Sequence, residues 1–137
     1  MKLLFGTLLY IVSTFAVQAT SHFVINKDHY AAITIMRQEP NFALGFSSMI
    51  IQGVLMCSLY QRLCRGLPGV FGGWIFGLLC GLFLSSYIAL AEPGKYAVPS
   101  IASWMAVETS AAFVQFSLFG LALGWTYRTE ARETVVP

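Results

Sequence analysis

The chain has 137 residues, of which 57% are hydrophobic and only 10% charged, with a mean hydropathy of +0.70. A soluble domain carries about 25% charged residues, so this composition excludes one and points to a lipid bilayer. Eight Lys and Arg against six Asp and Glu give a net charge of +2, far short of the dense basic patch that nucleic acid requires.

Four stretches reach the roughly 20 apolar residues that a spanning helix needs: residues 3–24, 42–60, 70–91 and 100–127. The expected fold is an all-α membrane protein, a single transmembrane domain in which four helices form a bundle and residues 128–137 make a polar tail. The connecting loops are too short for a further domain.

In the first stretch, Lys2, the apolar run and Val17-Gln18-Ala19 also fit a secretory signal with its cleavage site. The run continues past Ala19 to Phe23 and Val24, however, which favours a retained span with His22 at its far end. In the loop that follows, Asp28 is placed to cap a short helix running through Tyr30, Ile33 and Ile35 to Arg37, stopped by Pro40. Its apolar content predicts an interfacial helix that lies on the bilayer or folds over the bundle.

On the second span Gly45, Ser48 and Gln52 share one face. The third carries a small residue at every fourth position, Gly69, Gly73, Gly77, Gly81, Ser85 and Ala89, within a stretch that has no charge at all. Lipid tails are as apolar as Leu, so helices associate in a membrane by bringing backbones together over small residues. The ladder is therefore read as a helix-packing surface, and Ala102, Ala106 and Ser110 of the fourth span add a second stripe.

Glu108 is the one ionised side chain expected inside a span, and it shares a helix face with Trp104, Ala111 and Gln115. If Trp104 and Trp125 mark the two interfaces, their separation is about 31 Å at 1.5 Å per residue, and Glu108 lies about 6 Å inside one of them. Lys2, Arg62, Arg65, Arg128 and Arg132 fall on one side of the four spans, against Lys27, Arg37 and Lys95 on the other. That excess predicts both termini in the cytoplasm.

These placements predict a polar vestibule open to the outside, formed by Glu108, His22, Gln52, Tyr87 and Gln115, and closed toward the cytoplasm by Leu55, Phe71, Leu118 and Leu121. No catalytic set is legible: no Ser-His-Asp arrangement occurs, and Cys57, Cys64 and Cys80 form no C-x-x-C pair. Gly66-Leu67-Pro68-Gly69 lacks the Lys of a phosphate-binding loop. His22, Asp28 and His29 offer the imidazole and carboxylate donors that suit zinc, but flexible surface His and Asp residues often fall within a few positions of each other. Neither a metal nor a cofactor is expected.

The pattern as a whole is that of His22, Tyr30 eight residues later, Arg37 followed by Glu39 and Pro40, the glycines at 73, 77 and 81, Pro93, Trp104, and the closing Gly120 and Gly124. It resembles a family of small bacterial four-span inner-membrane proteins whose function is not established. The chain departs from that pattern at Phe23, where members carry a small residue. The resemblance implies the fold and a bacterial inner-membrane location, and no activity.

Tiny loops and small-residue stripes together favour a non-enzymatic accessory or assembly subunit. Its partners would be the lipid bilayer and other membrane subunits or copies of itself. Two alternatives stand beside it: a small-solute or proton pathway that uses Glu108 and His22, and a membrane enzyme in which the same residues act as acid and base on a lipid head group.

Overall fold

An apolar run in lipid satisfies its backbone polar groups only as a helix or within a closed barrel. The computed structural model, which describes residues 1–37, 39–64 and 69–128, contains helices and no strand among those residues. Helix α1 (Lys2–Thr20) continues through one π-helical turn, Ser21–Ile25; α2 is the short Lys27–Ala31; α3 is Phe42–Leu63; α4 (Gly69–Ser86) continues through a second π-helical turn, Tyr87–Ala91; and α5 is Ile101–Tyr127. All but α2 are long and apolar enough to cross a membrane, counting the π-helical turns with their helices. The protein is an all-α, four-helix integral membrane bundle.

Local chemistry sets the helix starts. Asn41, just after Pro40, accepts the Leu44 amide at 3.2 Å, and Ser100, just after Pro99, accepts that of Ser103 at 3.3 Å. These two bonds satisfy amides that the first turns of α3 and α5 leave free. The short helix in the first loop differs from expectation at both ends. Asn26 rather than Asp28 precedes it, and it stops at Ala31 instead of running to Arg37. The β-branched run Ile33-Thr34-Ile35 disfavours more helix, and turns take over, with the Ile33 amide bonded to the Tyr30 carbonyl and that of Met36 to Ile33. These turns bury Tyr30 and Ile33 against Trp104, so the segment folds over the bundle.

The closest helix pair is α4 with α5. A Cβ added at Gly73 would lie 2.4 Å from the Gly120 carbonyl oxygen, and one at Gly77 2.4 Å from that of Phe116. Gly120 and Gly124 are equally tight against residues 69–77 from the other side. Gly81 sits under the Phe116 ring and Ser85 is buried. Gly69 differs: its φ is +48° and the space around it is open, so it starts α4 in a conformation suited to glycine and packs against nothing through a side-chain direction. A second seam joins α1 and α3, where a Cβ on Gly6 would meet the Cys57 sulfur at 2.7 Å and one on Gly53 would meet Thr7 at 3.1 Å. Helix α1 also packs along α5, whereas α3 barely touches α4. The helices therefore follow each other in the order α4, α5, α1, α3, and the α3–α4 side is the least closed.

The main core lies toward the end that holds the N-terminus, where Tyr10, Cys57, Phe116, Phe119 and Leu123 are buried together. Tyr10 meets Phe119 edge-on, with ring centroids 4.9 Å apart. These residues, and not Leu55, Phe71, Leu118 and Leu121, close the bundle at that end. The latter four are exposed, pointing away from the helix contacts. Helical phase explains the correction: Leu55, Phe71 and Leu118 each lie two residues from a packing glycine (Gly53, Gly73 and Gly120), about 200° round the helix, and Leu121 lies about 100° from Gly120.

Candidate functional site: a polar cavity at Glu108

At the α2 end the bundle encloses a cavity of about 150 Å³, enough for several waters. Four helices contribute polar side chains to its wall: Tyr10, Thr14 and Gln18 from α1, Gln52 from α3, Ser85 from α4, and Glu108 and Gln115 from α5. Most are joined. Gln115 Nε2 donates to Thr14 Oγ1 at 3.0 Å and its Oε1 accepts from Gln18 Nε2 at 2.8 Å. Tyr10 donates its hydroxyl to Gln52 Oε1, and Gln52 Nε2 donates to Ser48 at 3.2 Å. Tyr10 and Phe116 belong both to the core and to the cavity wall, so the core forms the cavity floor, with the Tyr10 hydroxyl turned to the polar side.

Glu108 is 9% exposed. Its Oε1 accepts the Tyr30 hydroxyl at 2.7 Å, while Oε2 has no hydrogen bond among the described residues. Tyr30 itself lies outside the cavity wall, and it is held from two sides. Its ring stacks on the His22 imidazole at a centroid distance of 3.7 Å and an interplanar angle of 11°, and it packs with Ile33 and Trp104. Burial and then the bond to Glu108 push the Tyr30 hydroxyl above its ordinary pKa, so it stays a donor. His22 Nδ1 lies 3.0 Å from the Gln18 carbonyl. A carbonyl only accepts, so Nδ1 carries the proton of that bond and the neutral ring presents Nε2 as its acceptor.

Trp104 is fixed by a backbone defect. In the π-helical turn the Glu92 amide bonds to Tyr87, and the next carbonyl, Ile88, would call for the amide of Pro93, which has none. The Trp104 indole fills that vacancy, donating to the Ile88 carbonyl at 2.9 Å. The nearby Glu92 has its pKa raised, first by burial and then by the charge on Glu108.

Of the residues that the sequence assigns to the vestibule, Glu108, Gln52 and Gln115 line this cavity. His22 lies behind Tyr30, outside the wall. Tyr87 is apart from it: 54% exposed, it accepts a hydrogen bond from Lys95 Nζ at 3.0 Å. Depth alone assigns Tyr87 to the site; it lies two residues past the buried Ser85, about 200° round α4, so helical phase turns it away from the wall. Tyr10, Thr14 and Gln18 are the wall residues that sequence reasoning missed. Their signal was a polar stripe at four-residue spacing on an otherwise apolar span.

The cavity thus offers one carboxylate, several amides and hydroxyls, and no lining cation. Such a wall suits water or a small hydrogen-bond donor. Among the described residues no group of three or more His, Cys, Asp or Glu is placed to hold a metal. Compared with known protein families, with curated proteins and with solved structures, the chain matches none. The likeness to small bacterial four-span proteins therefore rests on the residues quoted for it alone.

Proposed function

We propose that the protein is a non-enzymatic, membrane-embedded binding protein for a small hydrogen-bond-donating cation, with Glu108 as the group that meets it. One observation carries this reading: a buried carboxylate lines a polar cavity, with one oxygen fixed by Tyr30 and no hydrogen bond to the other among the described residues. A carboxylate inside a span opposes insertion by about 2.5 to 3.5 kcal/mol. Intramembrane acids kept at such a cost mark ligand and ion sites.

The core beneath the cavity, with Tyr10, Phe116, Phe119 and Leu123 packed together, argues against conduction through a single chain. A solute enters and leaves on the same side. We place that side outside the cell, with both termini cytoplasmic in a bacterial inner membrane, on the distribution of Lys and Arg. The accessory-subunit reading drew on the small-residue stripes, but Gly73 and Gly77 are occupied by Gly120 and Gly124 of the same chain. Only Ala102, Ala106 and Ser110 remain exposed for a partner helix.

The test is calorimetric titration of the full chain in lipid nanodiscs with methylammonium as the probe. Wild type should bind it saturably, and Glu108→Gln, of nearly the same shape, should bind about tenfold or more weakly, a loss of at least 1.4 kcal/mol. Vesicles holding a pH-sensitive dye should show no proton flux above empty ones. Equal titrations for the two proteins, with a larger subunit that reproducibly co-purifies in mild detergent, would replace this reading by the accessory one.

A further inference from the structure

A second cavity, of about 630 Å³, is lined in part by Tyr30 and shares no lining residue with the first. Its polar lining includes His22, Lys27, Thr34 and Arg37, and no acidic residue borders it among the described residues. Neither Lys27 nor Arg37 has an ion-pair or hydrogen-bond partner among the described residues, so two full positive charges face the opening uncompensated. Asp28 and Glu39 lie close in sequence but do not line it.

The surroundings are as informative as the charges. The cavity sits where α1 leaves its apolar span. Phe23 is in its wall, and Val24 and Ile25 beside it are each 73% exposed. Apolar surface on the membrane side and cations on the water side is the arrangement that an anionic amphiphile matches, chain along the first and head group on the second. Arg binds phosphate through a planar fork of donors and Lys as a point charge. Thr34 adds a hydroxyl donor, and the His22 Nε2–H can add another when the ring is protonated.

We infer that this cavity is a binding site for a phosphate-bearing anion at the membrane surface, held by Lys27 and Arg37 with His22 and Thr34 beside them. The inference is independent of the Glu108 cavity, whose probe is a cation. A lipid phosphodiester and free phosphate offer the same group to these residues, and the exposed apolar flank favours the lipid.

Native mass spectrometry of the full chain in mild detergent tests it, with phosphatidylglycerol and the phosphate-free diacylglycerol as probes. Wild type should retain one phosphatidylglycerol in preference to diacylglycerol. The double variant Lys27→Gln/Arg37→Gln should retain about thirtyfold less, the loss expected for two cations removed from such a surface. Both residues are exposed and outside the spans, so an unchanged helical circular dichroism spectrum and melting midpoint would separate lost binding from lost folding. Excess inorganic phosphate added as competitor distinguishes the sources. Retention of phosphatidylglycerol supports the lipid, whereas displacement, with phosphate binding weakened equally in the double variant, supports the site and assigns it to the soluble anion. Equal retention of the two lipids, or of phosphatidylglycerol by wild type and double variant, overturns the inference.

Discussion

At the scale of single residues, the contact between Tyr30 and Glu108 joins a loop to the inside of a span across 78 positions of sequence. Tyr30→Phe keeps the ring stacked on His22 and removes only the donor, which leaves a buried carboxylate oxygen unpaired. We expect a loss of about 1 to 3 kcal/mol in stability, read as a lower melting midpoint in detergent. The pH dependence follows from the same bond. Burial and Glu108 raise the folded pKa of Tyr30 above its ordinary 10.0. Its contribution is therefore complete below that value and is lost as pH rises through the folded pKa. The gap in melting midpoint between wild type and Tyr30→Phe should narrow above pH 10, and a gap that stays constant would mean that the hydroxyl bond adds nothing. Trp104→Phe makes a separate test: it orphans the Ile88 carbonyl and should destabilise the α4 end, whereas a variant as stable as wild type would show that water replaces the indole.

At the scale of elements, glycines with the same chemistry have opposite roles. Gly77 has backbone atoms of α5 within 2.8 Å of where a Cβ would stand, while Gly45 on α3 has nothing within 4 Å. Gly77→Ala should therefore force α4 and α5 apart and cost about 1 to 3 kcal/mol. Gly45→Ala should be neutral or stabilising by up to about 1 kcal/mol, since Ala is the better helix former. Thermal unfolding of the two variants beside wild type checks both, and equal midpoints would remove the close-contact account of α4 and α5. The four-residue spacing made the ladder legible in sequence. Its place in the structure was less so, because Gly69 shares the spacing and yet has a positive φ and open space where a side chain would stand. Gly6 and Gly53, which set the α1–α3 contact, carry no periodic signal at all.

At the scale of the whole molecule, the four spans put the Arg62 end and the Lys95 end on opposite faces of the membrane. With both termini cytoplasmic, as the positive charges propose, a single cysteine at Lys95 should react with an impermeant maleimide added to intact cells. One at Arg62 should react only after lysis. The native thiols Cys57, Cys64 and Cys80 are free and must be replaced first. The reverse labelling would turn both cavities toward the cytoplasm.

The sequence by itself determined the number of spans, their approximate limits and the isolation of Glu108. These follow from hydropathy and length, which act residue by residue along the chain. It also placed Trp104, Glu108, Ala111 and Gln115 on one face, and all four are buried in the structure. Only the tertiary structure decided which polar groups meet. Tyr87 left the predicted set because it stands about 200° round the helix from the buried Ser85, and Leu55, Phe71, Leu118 and Leu121 turned outward because the packing glycines fixed the helical phase. Tyr30 reached Glu108 because folding the first loop over the bundle buried Tyr30 and Ile33 beside Trp104. Such contacts depend on the rotation of each helix about its axis, a quantity that an apolar span, greasy on every side, does not encode in its hydropathy.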